Sequence, residues 1–200
     1  MLASWSFKTT AAPLASSTQL HQLLASMNSY SAQFVQHTQD TEGKTLQRAS
    51  GMFEFAKPQS MRWITLQPMA QQIITDGRSL WIYDADLEQV IVDEFNTQMS
   101  VTPAMIFSES VASIDATYHV ERRALDEVVV DFILTPRDDA GLLSSIELTF
   151  IDSALSGVSI TSAEEINQFD FSRVQLNPVI AAAAFSFEVP ADVEVIDNRQ

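Results

Sequence analysis

The chain has no cysteine, which removes disulfides, thiolate nucleophiles and cysteine-ligated zinc together. Positive charge is scarce: 11 Lys plus Arg stand against 26 Asp plus Glu, a net charge of −15. That field repels phosphate backbones and anionic headgroups, so no nucleic acid partner is expected, whereas a basic or neutral protein surface is compatible. No apolar run approaches the ~18 residues a spanning helix needs.

Catalytic signatures are missing as well. The patterns G-x-S-x-G, H-E-x-x-H, G-x-G-x-x-G and the phosphate-binding loop do not occur. His21, His37 and His119 have no partner at ligand spacing and read as surface or locally hydrogen-bonded side chains. Asp84 with Asp86, Asp138 with Asp139, and Glu164 with Glu165 fall in polar connections where turn chemistry accounts for them. The residues predict no enzyme, no metal site and no cofactor.

What the chain does have is 46% hydrophobic content over 200 residues, enough for one domain with a sizeable core. Residues 1–17 read as a flexible N-terminal tail, more simply a frayed terminus than the remnant of an export signal, and 18–200 as the domain. Thr18 stands as an N-cap before Leu20, Leu23, Leu24 and Met27, whose spacing predicts an amphipathic helix near 18–29. Aromatic and β-branched segments then alternate with turn signals at Glu42-Gly43, Lys57-Pro58-Gln59, Gln67-Pro68, Asp76-Gly77 and Asp84-Ala85-Asp86. Short sequential strands at this spacing predict an antiparallel meander, and further strands are predicted near 116–123, 127–135, 143–151, 156–162, 167–175 and 185–189. Thr102-Pro103 followed by Ala104, Met105, Ile106 and Phe107 predicts a short helix inserted between strands.

Period-two alternation sorts the strand faces. Phe53, Phe55 and Lys57 share one face opposite Glu54, so that a cation ends an aromatic row. Met61 and Trp63 lie opposite Arg62; Val128, Val130, Phe132 and Leu134 lie opposite Asp131; Ile146, Leu148 and Phe150 lie opposite Glu147; Phe169 and Phe171 lie opposite Asp170. A greasy face on so many strands needs its own closed core, a covering layer of helix, or a ligand. The helices are few and short for that task, which leaves two readings: a barrel filled by its own side chains, or a capped concave sheet that holds a lipid.

Residues 51–92, GMFEFAKPQSMRWITLQPMAQQIITDGRSLWIYDADLEQVIV, carry KP, RW, TDG, LWIYD and DLEQV in one order. That block resembles the centre of the LolA-type outer-membrane lipoprotein carriers. YSAQFVQHTQD after the first helix, VTPAMIF in the inserted helix and the closing FSFEVPADVEVID agree with it, so the resemblance covers nearly all of 18–197. It implies a mainly β (α+β) fold, an incomplete antiparallel β-barrel with a lid of short α-helices, acting as a periplasmic, monomeric chaperone. Its implied partners are triacylated lipoproteins, an inner-membrane ABC-type release complex and an outer-membrane receptor of similar fold. The family closes its lid with an arginine before the proline of the central block, and Lys57 stands there here. Leu24 and Phe107 match lid positions. The acyl-chain cavity is expected to involve Phe53, Phe55, Met61, Trp63, Met105, Ile106, Phe132, Leu134 and Phe150. A carrier or sensor on the same half-barrel, for another lipid, a glycolipid or a protein segment, is the alternative.

Overall fold

The computed structural model of the protein describes residues 14–95, 111–138, 141 and 143–199. Twelve strands form one sheet. They are β1 (Ser29–Asp40), β2 (Thr45–Ala56), β3 (Ser60–Gln67), β4 (Gln71–Thr75), β5 (Ser79–Asp84) and β6 (Gln89–Glu94), then β7 (Tyr118–Ala124), β8 (Val129–Pro136), β9 (Leu143–Ile151), β10 (Ala154–Ser162), β11 (Glu165–Leu176) and β12 (Glu194–Asp197). Helix α1 (Ser16–Ser26) precedes β1, and α2 (Val111–Thr117) leads into β7.

The spatial order is β12-β6-β5-β4-β3-β2-β1-β11-β10-β9-β8-β7. This is two hairpin-connected meanders, β1 to β6 and β7 to β11, sewn together where β11 pairs with β1. The antiparallel meander predicted from turn spacing is present as β1 to β6; local turns report neighbours in sequence, whereas the β1–β11 seam joins segments over a hundred residues apart. Edges β12 and β7 do not pair, so the sheet is open.

It is also strongly curved. Trp63 on β3 and Phe169 on β11 stand three strand spacings apart, about 14 Å in a flat sheet. Their ring centroids are nevertheless 5.4 Å apart, because both point into the concave side. Close strand approach is aided at Gly51 on β2, where a Cβ would fall 1.8 Å from the carbonyl oxygen of Ile64 and 2.8 Å from the ring of Phe34. Phe34 pairs with Gly51 across the β1–β2 ladder and its ring fills the space the missing side chain leaves. Beside the seam, two residues of β11, Arg173 and Val174, oppose Ala32 alone, a bulge in which Arg173 takes a positive φ of 53°.

Three local expectations change. The first helix runs Ser16–Ser26 rather than 18–29, with Ala15 in the N-cap position and no side-chain cap, because residues from Ser29 onward are drawn into β1. Val111–Thr117, expected in part as strand, is helical, with Ile114 buried in the core. The strand expected at 185–189 does not form. Ala182–Phe185 is a 3-10 turn, Phe185 is buried, and the ring of Phe187 packs 5.3 Å from Tyr83. The final strand comes later, as β12, and pairs parallel to β6. Alternation in Phe185-Ser186-Phe187 therefore records which side chains face the sheet, not backbone pairing. The expected helix at Thr102–Phe107 and the tail at 1–13 lie outside the described residues.

Candidate functional site

Helix α1 covers part of the concave face because Leu20, Leu24 and Met27 recur at i, i+4 and i+7 and are all buried. Beneath it, the inward rows of both meanders merge into one apolar cluster. Tyr30 and Phe34 come from β1, Phe53 and Phe55 from β2, Met61 and Trp63 from β3, with Phe132, Leu134, Leu148 and Phe150 from the other half. Aromatic rings make the contact between strands: Phe53 lies 5.3 Å from Trp63 and 6.0 Å from Phe171, and Phe132 meets Phe150 edge to face at 5.8 Å. The polar exception, Tyr30, donates its hydroxyl to the carbonyl of Leu155 at 2.8 Å, and burial pushes its pKa above the ordinary phenol value.

Apolar packing leaves the last carbonyls of α1 in need of donors. Lys57, directly after β2, supplies them: its Nζ donates to the carbonyl oxygens of Ala25 at 2.8 Å and Leu24 at 3.2 Å. Desolvation against the helix end draws the Lys57 pKa below its ordinary value. Asn177, directly after β11, holds the following turn. Its Oδ1 accepts from the backbone N–H of Asn28 at 2.7 Å and of Ser29 at 3.3 Å, and its Nδ2 donates to the carbonyl of Ser26 at 3.1 Å. Helix α2 is held similarly by Arg137, just past β8, whose Nε donates to the carbonyl of Asp115 at 2.8 Å and whose backbone N–H bonds Thr117.

Two recesses adjoin this core. One, of about 560 Å³, runs between α1 and the β7–β8 and β9–β10 turns; Gln19, Leu23 and Ser26 form one wall, Val128, Val130 and Phe132 another. The second, of about 260 Å³, lies at the far end of the concave face beside Trp63 and Phe169. Its neighbourhood is polar, since Gln36 and Thr38 both donate to Asn167 Oδ1, at 3.1 and 2.7 Å. The concave face is therefore greasy under α1 and polar beyond the Phe34–Trp63–Phe169 wall.

The structure brings Lys57 and Leu24 together and gathers Phe53, Phe55, Met61, Trp63, Phe132, Leu134 and Phe150 on the concave face. With α1 in place these side chains fill the interior rather than line an open chamber; Phe53 and Phe150 are 0% exposed. Phe107, Met105 and Ile106 lie outside the described residues. Sequence reasoning missed Arg137 and Asn177. For Arg137 a signal existed, since Pro136-Arg137 ends a strand with the same residue classes as Lys57-Pro58. Asn177 looked like an ordinary turn residue. Among the described residues no group of acidic or histidine side chains is placed to hold a metal.

Residues 25–188 match the family described as outer membrane lipoprotein carrier protein LolA. Relatives named outer-membrane lipoprotein carrier protein include one from Hahella chejuensis, 35% identical over 179 residues that cover 88% of this chain and 86% of the relative. Another, from Chromohalobacter salexigens, is also 35% identical, over 89% of this chain and 85% of its own. Among solved structures, an uncharacterised conserved protein from Thermus thermophilus superposes with a TM-score of 0.60 at 11% identity, over 92% of this chain and all of that one, a likeness of fold alone. Matched over most of its length by the family and by these relatives, the chain belongs to the LolA outer-membrane lipoprotein carrier family.

Proposed function

We propose that this protein is a periplasmic chaperone that takes triacylated lipoproteins from an inner-membrane ABC-type release complex, shelters their acyl chains under α1, and passes them to an outer-membrane receptor of similar fold. The observation that carries the reading is a continuous apolar concave face whose described cover includes one 11-residue helix bonded to the sheet through main-chain carbonyls at its C-terminal end. It acts as a carrier, not an enzyme.

Magnitudes support such a device. Each buried CH₂ contributes ~0.8 kcal/mol, so a 16-carbon chain in water carries on the order of 10 kcal/mol of unfavourable transfer free energy. The chain cannot cross water unaided. In the closed form the interior is already packed, so an acyl chain enters by displacing α1 and exposing its buried side chains, Leu20 and Leu24, to it or to water. At roughly 1.5–3 kcal/mol each, re-burying those two side chains recovers roughly 3–6 kcal/mol. Re-closure thus offsets part of the gain from sheltering the acyl chains and favours release, with no nucleotide hydrolysis by the carrier itself. In this reading Lys57 biases the lid toward closure, with Leu24 as its contact, and lysine's single flexible ammonium holds less firmly than a planar guanidinium.

The test is native mass spectrometry and titration with a synthetic tripalmitoylated lipopeptide. A one-to-one complex, absent with the de-acylated peptide, is the expected result. Equal binding of both peptides would instead favour a module that grips polypeptide, and no binding of either would defeat the carrier reading.

A further inference from the structure

We propose that Asn177 is the hinge pin of α1, and that the helix swings about its C-terminal end to widen the groove along Gln19, Leu23 and Val128 as the path by which an acyl chain enters. This rests on the carrier reading above and adds to it the direction of opening and the residue that sets it.

The two ends of α1 are held very differently. At the C-terminal end every peptide of the turn into β1 is anchored. Asn177 Oδ1 takes the N–H groups of Asn28 and Ser29, its Nδ2 takes the carbonyl of Ser26, and its backbone N–H bonds Ser29 at 2.9 Å. From the other side the backbone N–H of Lys57 donates to Asn28 at 2.8 Å, and Ser29 Oγ donates to Pro178 at 2.6 Å. Asn177 does this in a left-handed conformation, φ 54°, which asparagine tolerates better than most side chains.

Among the described residues the N-terminal end has little of this. Ala15 occupies the cap position without a side-chain acceptor, no acidic residue stands in the first turn, and the polar contact there is local, from Gln19 Nε2 to the carbonyl of Leu14. Among the described residues, that end is held by packing, with Ser17 and Leu20 buried against the rest of the fold. Non-directional packing slips where a fan of hydrogen bonds does not, so the helix pivots at residues 27–28.

The groove lies where such a pivot opens. Leu23 and Val130 pack against the core cluster and Phe132 belongs to it, so the recess is continuous with the apolar interior. Its rim carries Arg122, Asp126 and Glu127, which keep the mouth wet while the floor is greasy. At 1.5 Å per residue, a swing of about 30° about residues 27–28 carries Gln19 about 6 Å and Ala25 about 2 Å.

The absence of cysteine makes the measurement direct, because introduced pairs can be spin-labelled in the full chain without a background. Gln19→Cys with Val128→Cys reports the groove; Ala25→Cys with Val179→Cys reports the pinned end. On adding the tripalmitoylated lipopeptide, the first distance is expected to lengthen by several ångströms and the second to stay within about 2 Å. Asn177→Gly, which keeps the left-handed backbone and deletes the amide, is expected to broaden the second distance even without lipid. Asn177→Asp, which keeps the acceptor but not the donor, falls between. If the lipopeptide binds and the pinned end moves as far as the groove, or if Asn177→Gly leaves that end unchanged, the hinge is wrong while the carrier reading stands. If the lipopeptide does not bind at all, both fall.

Discussion

The Nζ of Lys57 lies 2.8 Å from the carbonyl oxygen of Ala25, so a cation at the end of β2 caps the helix that covers the concave face. Strand end and helix end are thereby tied by a charge-assisted bond, reinforced by the second carbonyl at Leu24. The side chain is solvent-exposed, which weakens the tie. Lys57→Met is expected to lower stability by about 1 kcal/mol and to speed amide exchange within α1 far more than in the β1–β11 seam. Lys57→Arg should slow α1 exchange below the native rate by adding planar donors. Uniform acceleration across the sheet in Lys57→Met would mean that Lys57 supports the fold at large rather than the helix.

On the convex face Arg123 bridges two carboxylates, reaching Asp131 at 2.8 Å and Glu147 at 2.6 Å. Asp131 is only 2% exposed and also accepts from Thr149 Oγ1 at 2.9 Å. Removing the arginine strands a buried carboxylate, so Arg123→Leu is expected to lower the urea midpoint without changing the slope of the transition. In a double-mutant cycle with Asp131→Leu, most of that loss should return. Additive losses in chemical denaturation would show that the pair does not act as one unit.

Gly51 admits no side chain without movement of backbone. A Cβ there falls 1.8 Å from the carbonyl oxygen of Ile64 and 2.8 Å from the Phe34 ring, so Gly51→Ala must push β2 from β3 and shift that ring as well. A loss at the upper end of the over-packing range, about 3 kcal/mol, is expected in urea unfolding. Gly43, with open space around its Cβ position but a positive φ of 84°, should lose only about 1 kcal/mol on the same change. Equal losses at the two sites would refute the clash.

The carboxyl of Asp197 on β12 accepts from the Arg199 side chain, chiefly, and from its backbone N–H, which together hold its pKa down at about 2. A depressed carboxylate stabilises the fold fully above its unfolded value near 3.8, and that contribution fades as pH falls toward 2. Carbon-detected titration should place the Asp197 midpoint near 2, and Arg199→Ala should return it toward 3.8. A midpoint near 3.8 in the native protein would remove the pairing.

Much of the local architecture could be read directly. Strand β9 fell at 143–151 as alternation predicted, and the faces of Phe53, Trp63, Phe132 and Phe150 were assigned correctly, because side-chain period alone decides them. The helix at Val111–Thr117 was not legible, since its seven residues are too few to show a period. Nor was the parallel β12–β6 pair, whose register depends on a long return over the sheet.

The residues by themselves determined an apolar face on strand after strand, an amphipathic first helix, and a central block that carries the family resemblance. Composition and period are local properties, and they survive without knowledge of the fold. Only the tertiary structure decided that β11 closes onto β1, that the apolar rows fill the concave side beneath α1, and that Asn177 and Lys57 meet at one end of that helix. Those contacts join positions up to about 150 residues apart, set by the curvature of twelve strands rather than by any spacing along the chain.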